Sequence, residues 1–555
     1  MNKKVCSFPI LFALLALLIG ICAVVFPASA QAAPTSTGSI TVSGTVARSY
    51  DAYQIFSANV VDDDSDAKIA ADLAWASDAA RDAVLPVLHS AGMPNSQTTA
   101  QEAAEWLNTD SHLTSALSAQ LARSLQSSGA EPVALNAGTA AELPCGYWLI
   151  VAKDDAIAQG EAGTAPIMAL VGGSAVTVKP KAATPKVSKH VLEDSTAAWQ
   201  KAADATVADD LYWRLSATVP AGLTAYDTYA VQFVDTMSAG LDPSKVAASM
   251  RVYVAAGADG GFDAVQAGKD GRAGTKPAKG WTDITAQCAT RVAADGTFTV
   301  RTGDLIAALG GADAFTAGAR VVAVYNAPLN SACNHGIAKG NPNEVYLRYP
   351  RSPFADQSGD AGFTRTPSDD ACAYTWDLAL TKRGSDGDKP LAGAVLSIAD
   401  DRGRTLAADG TWDAEGKATV TTGEDGRVTV SGVDSGKLEV RELKAPKGYT
   451  AFEGTRSVTV KAEGLDVDQV AAAKPKLTIT AESPLRADSA DGSTGSLEAS
   501  LINTPTGTPP SITTGGFMPS TGDMAMYAAA AAAVAGAALI VVALLVKRGG
   551  GSHKE

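Results

Sequence analysis

Between residues 376 and 503 the chain is a series of stretches that alternate apolar and polar residues, the pattern of half-buried β-strands, and in three of them the alternation carries a polar group inward. In Trp376-Asp377-Leu378-Ala379-Leu380-Thr381-Lys382, the lysine falls on the face of Trp376, Leu378 and Leu380. In Leu438-Glu439-Val440-Arg441-Glu442, the same parity places Glu442 with Leu438 and Val440. In Leu497-Glu498-Ala499-Ser500-Leu501-Ile502-Asn503, Asn503 shares a face with Leu497, Ala499 and Leu501. Burying a lysine and a glutamate without partners is costly, and burial favours the neutral form of each. A neutral amine can attack a carboxamide while a neutral acid polarises its carbonyl and shuttles protons, giving a Lys-Asn amide and ammonia. A buried ion pair beside a hydrogen-bonded asparagine satisfies the same parity.

The ends of the chain set its compartment. Met1 to Ala32 reads as a secretory signal, with Lys3 and Lys4 before an apolar core from Pro9 to Phe26 and small-residue cleavage sites at Ala28-Ser29-Ala30 and Ala30-Gln31-Ala32. Ile21 is too bulky for Cys22 to be a lipidation site. At the other end, Met518-Pro519-Ser520-Thr521-Gly522 is followed by an apolar run from Met524 to Val546 and the basic pair Lys547-Arg548. At ~1.5 Å rise per residue such a run spans the ~30 Å hydrocarbon core as a helix, with its basic end cytoplasmic.

Roughly three domains fit between these segments. The first, 33–180, reads as mixed α+β. It opens on the alternating strand Ile40 to Val46, continues through two helical segments and closes on strands at Tyr147 to Val151 and Ala175 to Val178. The better helical segment has a Thr99-Ala100-Gln101-Glu102 capping box, leucines at 113, 117, 121 and 125, and Gly129 as its stop. Asp62 to Asp66 lacks the glycine and distant glutamate of a calcium loop and reads as a solvated acidic turn. The second domain, 181–372, is a series of short strands with a Gly-rich surface excursion from Ala255 to Gly280. The third, 373–504, has Asp-Gly turns at Asp409-Gly410 and Asp425-Gly426 and no helix signals, which predicts a β-sandwich. A Pro/Thr/Gly-rich spacer, 505–517, leads to the terminal segment at 518–555. The fold class expected is mainly β, tandem Ig-like sandwiches behind a mixed α+β domain.

The formal net charge of -14 argues against nucleic acid as a partner. Neither metal nor cofactor is indicated. The five histidines form no triad or metal motif, which leaves a secreted hydrolase without support. With the signal removed, Cys145, Cys288, Cys333 and Cys372 remain in a compartment that permits disulfides, and of the three pairings Cys333 with Cys288 or with Cys372 is favoured by proximity in the chain.

Taken together, these motifs resemble those of the sortase-assembled backbone pilins of Gram-positive bacteria. Met518-Pro519-Ser520-Thr521-Gly522 is similar to their L-P-x-T-G sorting pentapeptide, with Met518 in the place of leucine. Glu442-Leu443-Lys444-Ala445-Pro446-Lys447-Gly448-Tyr449 looks like their E-box, E-T-x-A-P-x-G-Y, with Leu443 departing from it. Val178-Lys179-Pro180-Lys181 resembles their pilin motif V-Y-P-K, with Lys179 in the aromatic position. The resemblance implies tandem CNA-like sandwiches and an intramolecular isopeptide bond from Lys382 to Asn503 assisted by Glu442. It also implies cleavage after Thr521 and attack on the resulting acyl-enzyme by Lys181 of another copy, giving a head-to-tail fibre.

The second domain is similar to the fimbrial isopeptide domain of the same proteins. Lys189 shares a face with Val187 and Val191, and Asp235 with Tyr229, Val231 and Phe233, which is the parity required of amine and acid. The family's acceptor segment, Y-S-N-N-P, is here Tyr349-Pro350-Arg351-Ser352-Pro353 and contains no asparagine. No bond is therefore expected there, and in its place Asp235 is expected to be shared by Lys189 and Arg351.

The function implied is a structural, non-enzymatic subunit of a cell-wall-anchored pilus used in adhesion. Its implied partners are pilus-specific and housekeeping sortases, further copies of itself, minor pilins and peptidoglycan, with the host receptor unassigned. The alternative is a monomeric wall-anchored adhesin that binds a host glycan or matrix protein.

Overall fold

The computed structural model describes residues 36–63, 67–109, 111–180, 184–221, 223–257 and 279–507. The signal segment, Lys181, the sorting pentapeptide and the apolar run at 524–546 lie outside them. Among the described residues no helix is long and apolar enough to cross a membrane.

Among the described residues the fold is mainly β, with six sheets. In the first domain Thr37–Val42 lies between Ala140–Pro144, antiparallel to it, and Val176–Val178, parallel to it. A larger sheet runs Lys68–Trp75, Ser49–Asp62, Gly146–Ala152 and Ile167–Val171, with Val133–Asn136 also paired to the long strand. Gly146 is required at its position. A Cβ there would stand 2.0 Å from the carbonyl oxygen of Phe56, and its φ is +139°.

Three helices cover this sheet: α1 (Asp78–Ser90), α2 (Ala100–Asn108) and α3 (Ser115–Ser127). The single helix expected from Thr99 to Gly129 is thus two. The capping box at Thr99 and Glu102 forms, with each partner bonded to the other's backbone. A second cap then interrupts the run, because the Thr114 hydroxyl accepts from the Leu117 N–H and starts a new helix. His112 Nδ1 lies 2.7 Å from the Trp106 carbonyl oxygen and its ring stacks on Trp106, tying down the corner between the two helices.

The second domain is a sandwich of two sheets. One runs Ala198–Gln200, Val187–Glu193, Tyr212–Thr218, Arg320–Asn326, Arg251–Ala255 and Trp281–Asp283. The other runs Ala202–Asp204, Asp369–Tyr374, Asn341–Pro350, Gln232–Met237, Thr297–Arg301 and Ala289–Val292, with Phe363–Arg365 on the flank of Asn341–Pro350. The third domain repeats the layout. Arg427–Val433, Trp376–Gly384, Ser496–Pro505 and Tyr449–Thr450 form one sheet, with Leu485–Asp491 also paired to Ser496–Pro505. Trp412–Asp413, Thr405–Leu406, Val395–Ala399, Gly436–Lys444, Thr455–Glu463 and Lys476–Ala481 form the other. In each sandwich the inward residues of both sheets fuse into one apolar core.

Polar contacts join the domains. Between the first and second, Tyr349 donates to the Gly160 carbonyl at 2.8 Å and Arg123 pairs with Asp227 at 3.1 Å. Between the second and third, Trp376 Nε1 donates to Asp204 at 2.6 Å.

Candidate functional site

In the third domain, the strands that begin and end the sandwich lie side by side and parallel, pairing Lys382 with Leu501 and Gly384 with Asn503. Glu442 comes from the facing sheet. Strand parity therefore delivers all three side chains to one interior point, with Lys382 0 %, Glu442 6 % and Asn503 2 % exposed. Lys382 Nζ is 3.5 Å from Glu442 Oε1 and 3.4 Å from the Leu501 carbonyl oxygen. Asn503 Nδ2 donates to both Glu442 oxygens, at 2.9 and 3.0 Å, and the Phe452 N–H donates to Oε2 at 3.1 Å.

Burial pushes the Lys382 ammonium down to about 8, against the pull of Glu442, so a neutral amine is accessible near neutrality. Asn503 Oδ1 is buried and has no hydrogen-bond partner. A half-turn of the carboxamide would bring that oxygen to the Glu442 carboxyl, the group in contact with both the amide and the amine. The three groups can thus do acyl transfer, with amine as nucleophile, acid as proton donor and carboxamide as electrophile.

The second domain holds a cluster of the same kind, with a member that sequence reasoning missed. Lys189 and Asp235 are both 0 % exposed and form an ion pair in the core. Arg351 does not join them, contrary to expectation. Its guanidinium instead reaches the Asp154 carbonyl at 3.3 Å and the Phe363 carbonyl at 3.4 Å, because it lies past the end of the strand Asn341–Pro350, where the chain turns toward the first domain. The other partner of Asp235 is Tyr325, whose hydroxyl donates to Oδ2 at 3.1 Å and accepts from Lys189 Nζ at 2.9 Å.

The asparagine that 349–353 lacks stands earlier, inside the strand. Asn343 is 0 % exposed and its Nδ2 donates to Tyr325 Oη at 2.8 Å, while Oδ1 has no partner. Parity would have found it, since Asn343 alternates inward with Val345, Leu347 and Tyr349. Burial pushes Lys189 down to about 8 and raises Asp235 from its ordinary value, although each is pulled back by the other.

The four cysteines are free thiols, which corrects the disulfide expectation. Each packs against groups other than cysteine. Cys145 accepts from the Ser36 hydroxyl, and Cys288 points at the Ile284 carbonyl. Cys372 lies under Gly340, where a Cβ would stand 2.5 Å from its sulfur. Cys333 Sγ lies 3.5 Å from His335 Nε2, and His335 Nδ1 lies 2.8 Å from Asp377. Burial, followed by the charge of Asp377, pushes the Cys333 thiol up to about 11, so this line of groups holds the domain joint and supplies no thiolate nucleophile. Among the described residues no group of His, Cys, Asp and Glu is arranged to hold a metal ion.

Fold and clusters together define, among the described residues, two tandem β-sandwiches that each carry a buried lysine, acid and asparagine. Residues 377–474, which include Lys382 and Glu442, match the family described as the SpaA prealbumin-like fold domain. The chain is 30% identical over 143 residues to the trypsin-resistant surface T6 protein of Streptococcus pyogenes serotype M6, a match that spans 24% of each protein. These similarities agree with the resemblance to Gram-positive backbone pilins carried by the motifs.

Among solved structures, the T6 backbone pilin of the same serotype aligns over 85% of this chain and 98% of its own, at 16% identity and a TM-score of 0.46. The full-length major pilin SpaD of Corynebacterium diphtheriae aligns over 86% and 100%, at 14% identity and a TM-score of 0.41.

Proposed function

We propose that the chain is the backbone subunit of a covalently polymerised, cell-wall-anchored pilus, whose sandwiches are each locked by an internal amide, Lys382 to Asn503 and Lys189 to Asn343. The observation that carries this reading is the repetition of one buried plan in consecutive domains. Amine, acid and carboxamide are brought together where water cannot compete, in a chain whose third domain is similar to SpaA. Both clusters are buried in the sandwich interiors, and their chemistry serves the fold.

In each reaction the neutral lysine amine attacks the asparagine Cγ. The Cγ–Nδ2 bond breaks and a proton from the amine leaves with the ammonia; in the third domain Glu442, which touches the carboxamide, is placed to carry that proton. The product bond ties segments of a sandwich that are far apart in the chain, which suits a subunit that must carry load along a fibre. The secretory segment and the terminal apolar run place the subunit outside the membrane and hold it while sortase cuts after Thr521. Lys181, in the linker between the first and second domains, then receives that acyl group from the next copy. The same donor and acceptor on every copy give an open, heterologous fibre.

Immunoblots of wall extracts from sortase-positive and sortase-negative cells test the assignment. The expected result is a high-mass ladder only with sortase, collapsing to a monomer in Lys181→Ala. A single band in both strains would overturn the pilus reading in favour of a monomeric adhesin.

A further inference from the structure

The two clusters differ in one respect. In the third domain the acid touches the carboxamide directly, through both Glu442 oxygens. In the second domain the acid is an aspartate, one methylene shorter, and Asn343 Nδ2 meets the Tyr325 hydroxyl instead. That single oxygen contacts all three members, accepting from Lys189 Nζ and Asn343 Nδ2 and donating to Asp235 Oδ2. Tyr325 is 0 % exposed, and its ring is fixed edge-on to Phe298 with centroids 4.7 Å apart. Bulk solvent does not reach the hydroxyl.

Resting on the reading of this cluster as a cross-linking site, we infer that Tyr325 is a catalytic residue of the Lys189–Asn343 reaction, relaying the proton that lets ammonia leave. The Nζ–Cγ bond forms and the Cγ–Nδ2 bond breaks. The proton lost by Nζ passes to Asp235, Asp235 Oδ2 gives one to Tyr325 Oη, and Oη gives its own to Nδ2. Asp235 and Tyr325 end in the states in which they began, nothing is oxidised or reduced, and the products are one secondary amide and one ammonia. The relay fills the gap that a carboxylate shorter than glutamate leaves.

The test follows formation of the branched Lys189–Asn343 peptide by mass spectrometry in pulse-labelled full-length chain, with the Lys382–Asn503 peptide of the same molecules as internal control. Tyr325→Phe keeps the ring and removes only the hydroxyl. It is expected to slow the second-domain bond by about a hundredfold or more, in the range usual for loss of a general acid–base group, and to leave the third-domain bond unchanged. Adding Asp235→Glu to Tyr325→Phe is expected to restore the rate, because the longer acid reaches the carboxamide itself, a rescue that a purely packing role for the ring would not produce. If Tyr325→Phe does not accumulate, a fluorinated tyrosine at 325 is expected to change the rate by altering hydroxyl acidity, and an unchanged rate overturns the relay. A wild-type chain without the branched peptide refutes the cross-link itself. A wild-type chain that has it, matched by Tyr325→Phe at the same rate, refutes only the role of Tyr325.

Discussion

Asn341 and Asn343 lie two residues apart on one face of one strand, both 0 % exposed, yet only one is chemically unsettled. Asn341 Oδ1 accepts from the Asn334 N–H at 2.8 Å, and its Nδ2 donates to the carbonyls of Asn334 and Ala373. Asn343 Oδ1 has no partner. Asn341→Ala is therefore expected to retain the Lys189–Asn343 bond but lose about 1–3 kcal/mol for each backbone group it orphans. Asn343→Ala is expected to lose the bond, and with it the constraint of a long closed loop, about 4–5 kcal/mol by analogy with a disulfide. Peptide mapping with thermal melts of both variants checks this, and a retained Lys189 branch in Asn343→Ala would contradict it. At this scale the sequence was legible wherever parity was applied, as for Lys382, Glu442, Asn503, Lys189 and Asp235. Motif position is the weaker guide, since it points to 349–353, where no asparagine stands, whereas parity along Asn341–Pro350 points to Asn343. Tyr325 had no such signal, because a tyrosine in an apolar strand looks like core until its hydroxyl finds partners.

At the scale of elements, strands were the legible part and helix boundaries were not. The leucines at 117, 121 and 125 do form one buried stripe on α3. Leu113 lies before its start, and the run from Thr99 is cut where Thr109 and Thr114 compete for the backbone. Apolar spacing alone extended across a break that the polar residues between the helices impose. Pairing was also beyond the sequence. Alternation says that Lys382 and Asn503 point inward, and only the sheet order says that their strands are parallel neighbours. The register places the amine beside Leu501, two residues short of the carboxamide, and each residue's parity carries its side chain to the same interior point.

At the scale of the molecule, the joint between the second and third domains gathers Glu193, Asp194, Asp204 and Asp434. Asp204 accepts from Trp376 Nε1 at 2.6 Å and from the Ser435 N–H at 2.9 Å, so the joint depends on these groups staying in place. Burial, then the charge of Asp204, pushes Glu193 from 4.5 up to about 7, and burial also raises Asp194 and Asp434. An acid whose folded pKa lies above its unfolded value binds more protons in the folded state, so its contribution is present below 4.5 and is lost as pH rises to about 7. The difference in melting temperature between wild type and Glu193→Gln is accordingly expected to move against wild type between pH 4.5 and 7. A difference that is flat across that window would contradict the assignment.

Closure of two successive sandwiches, each on its own lysine and asparagine, is read from the intact mass of the folded protein made without sortase, after signal removal. Wild type is expected to fall short of the mass calculated for that processed chain by two ammonia molecules, and each of Glu442→Ala and Asp235→Ala by one. A folded wild-type protein at the calculated mass would refute both bonds.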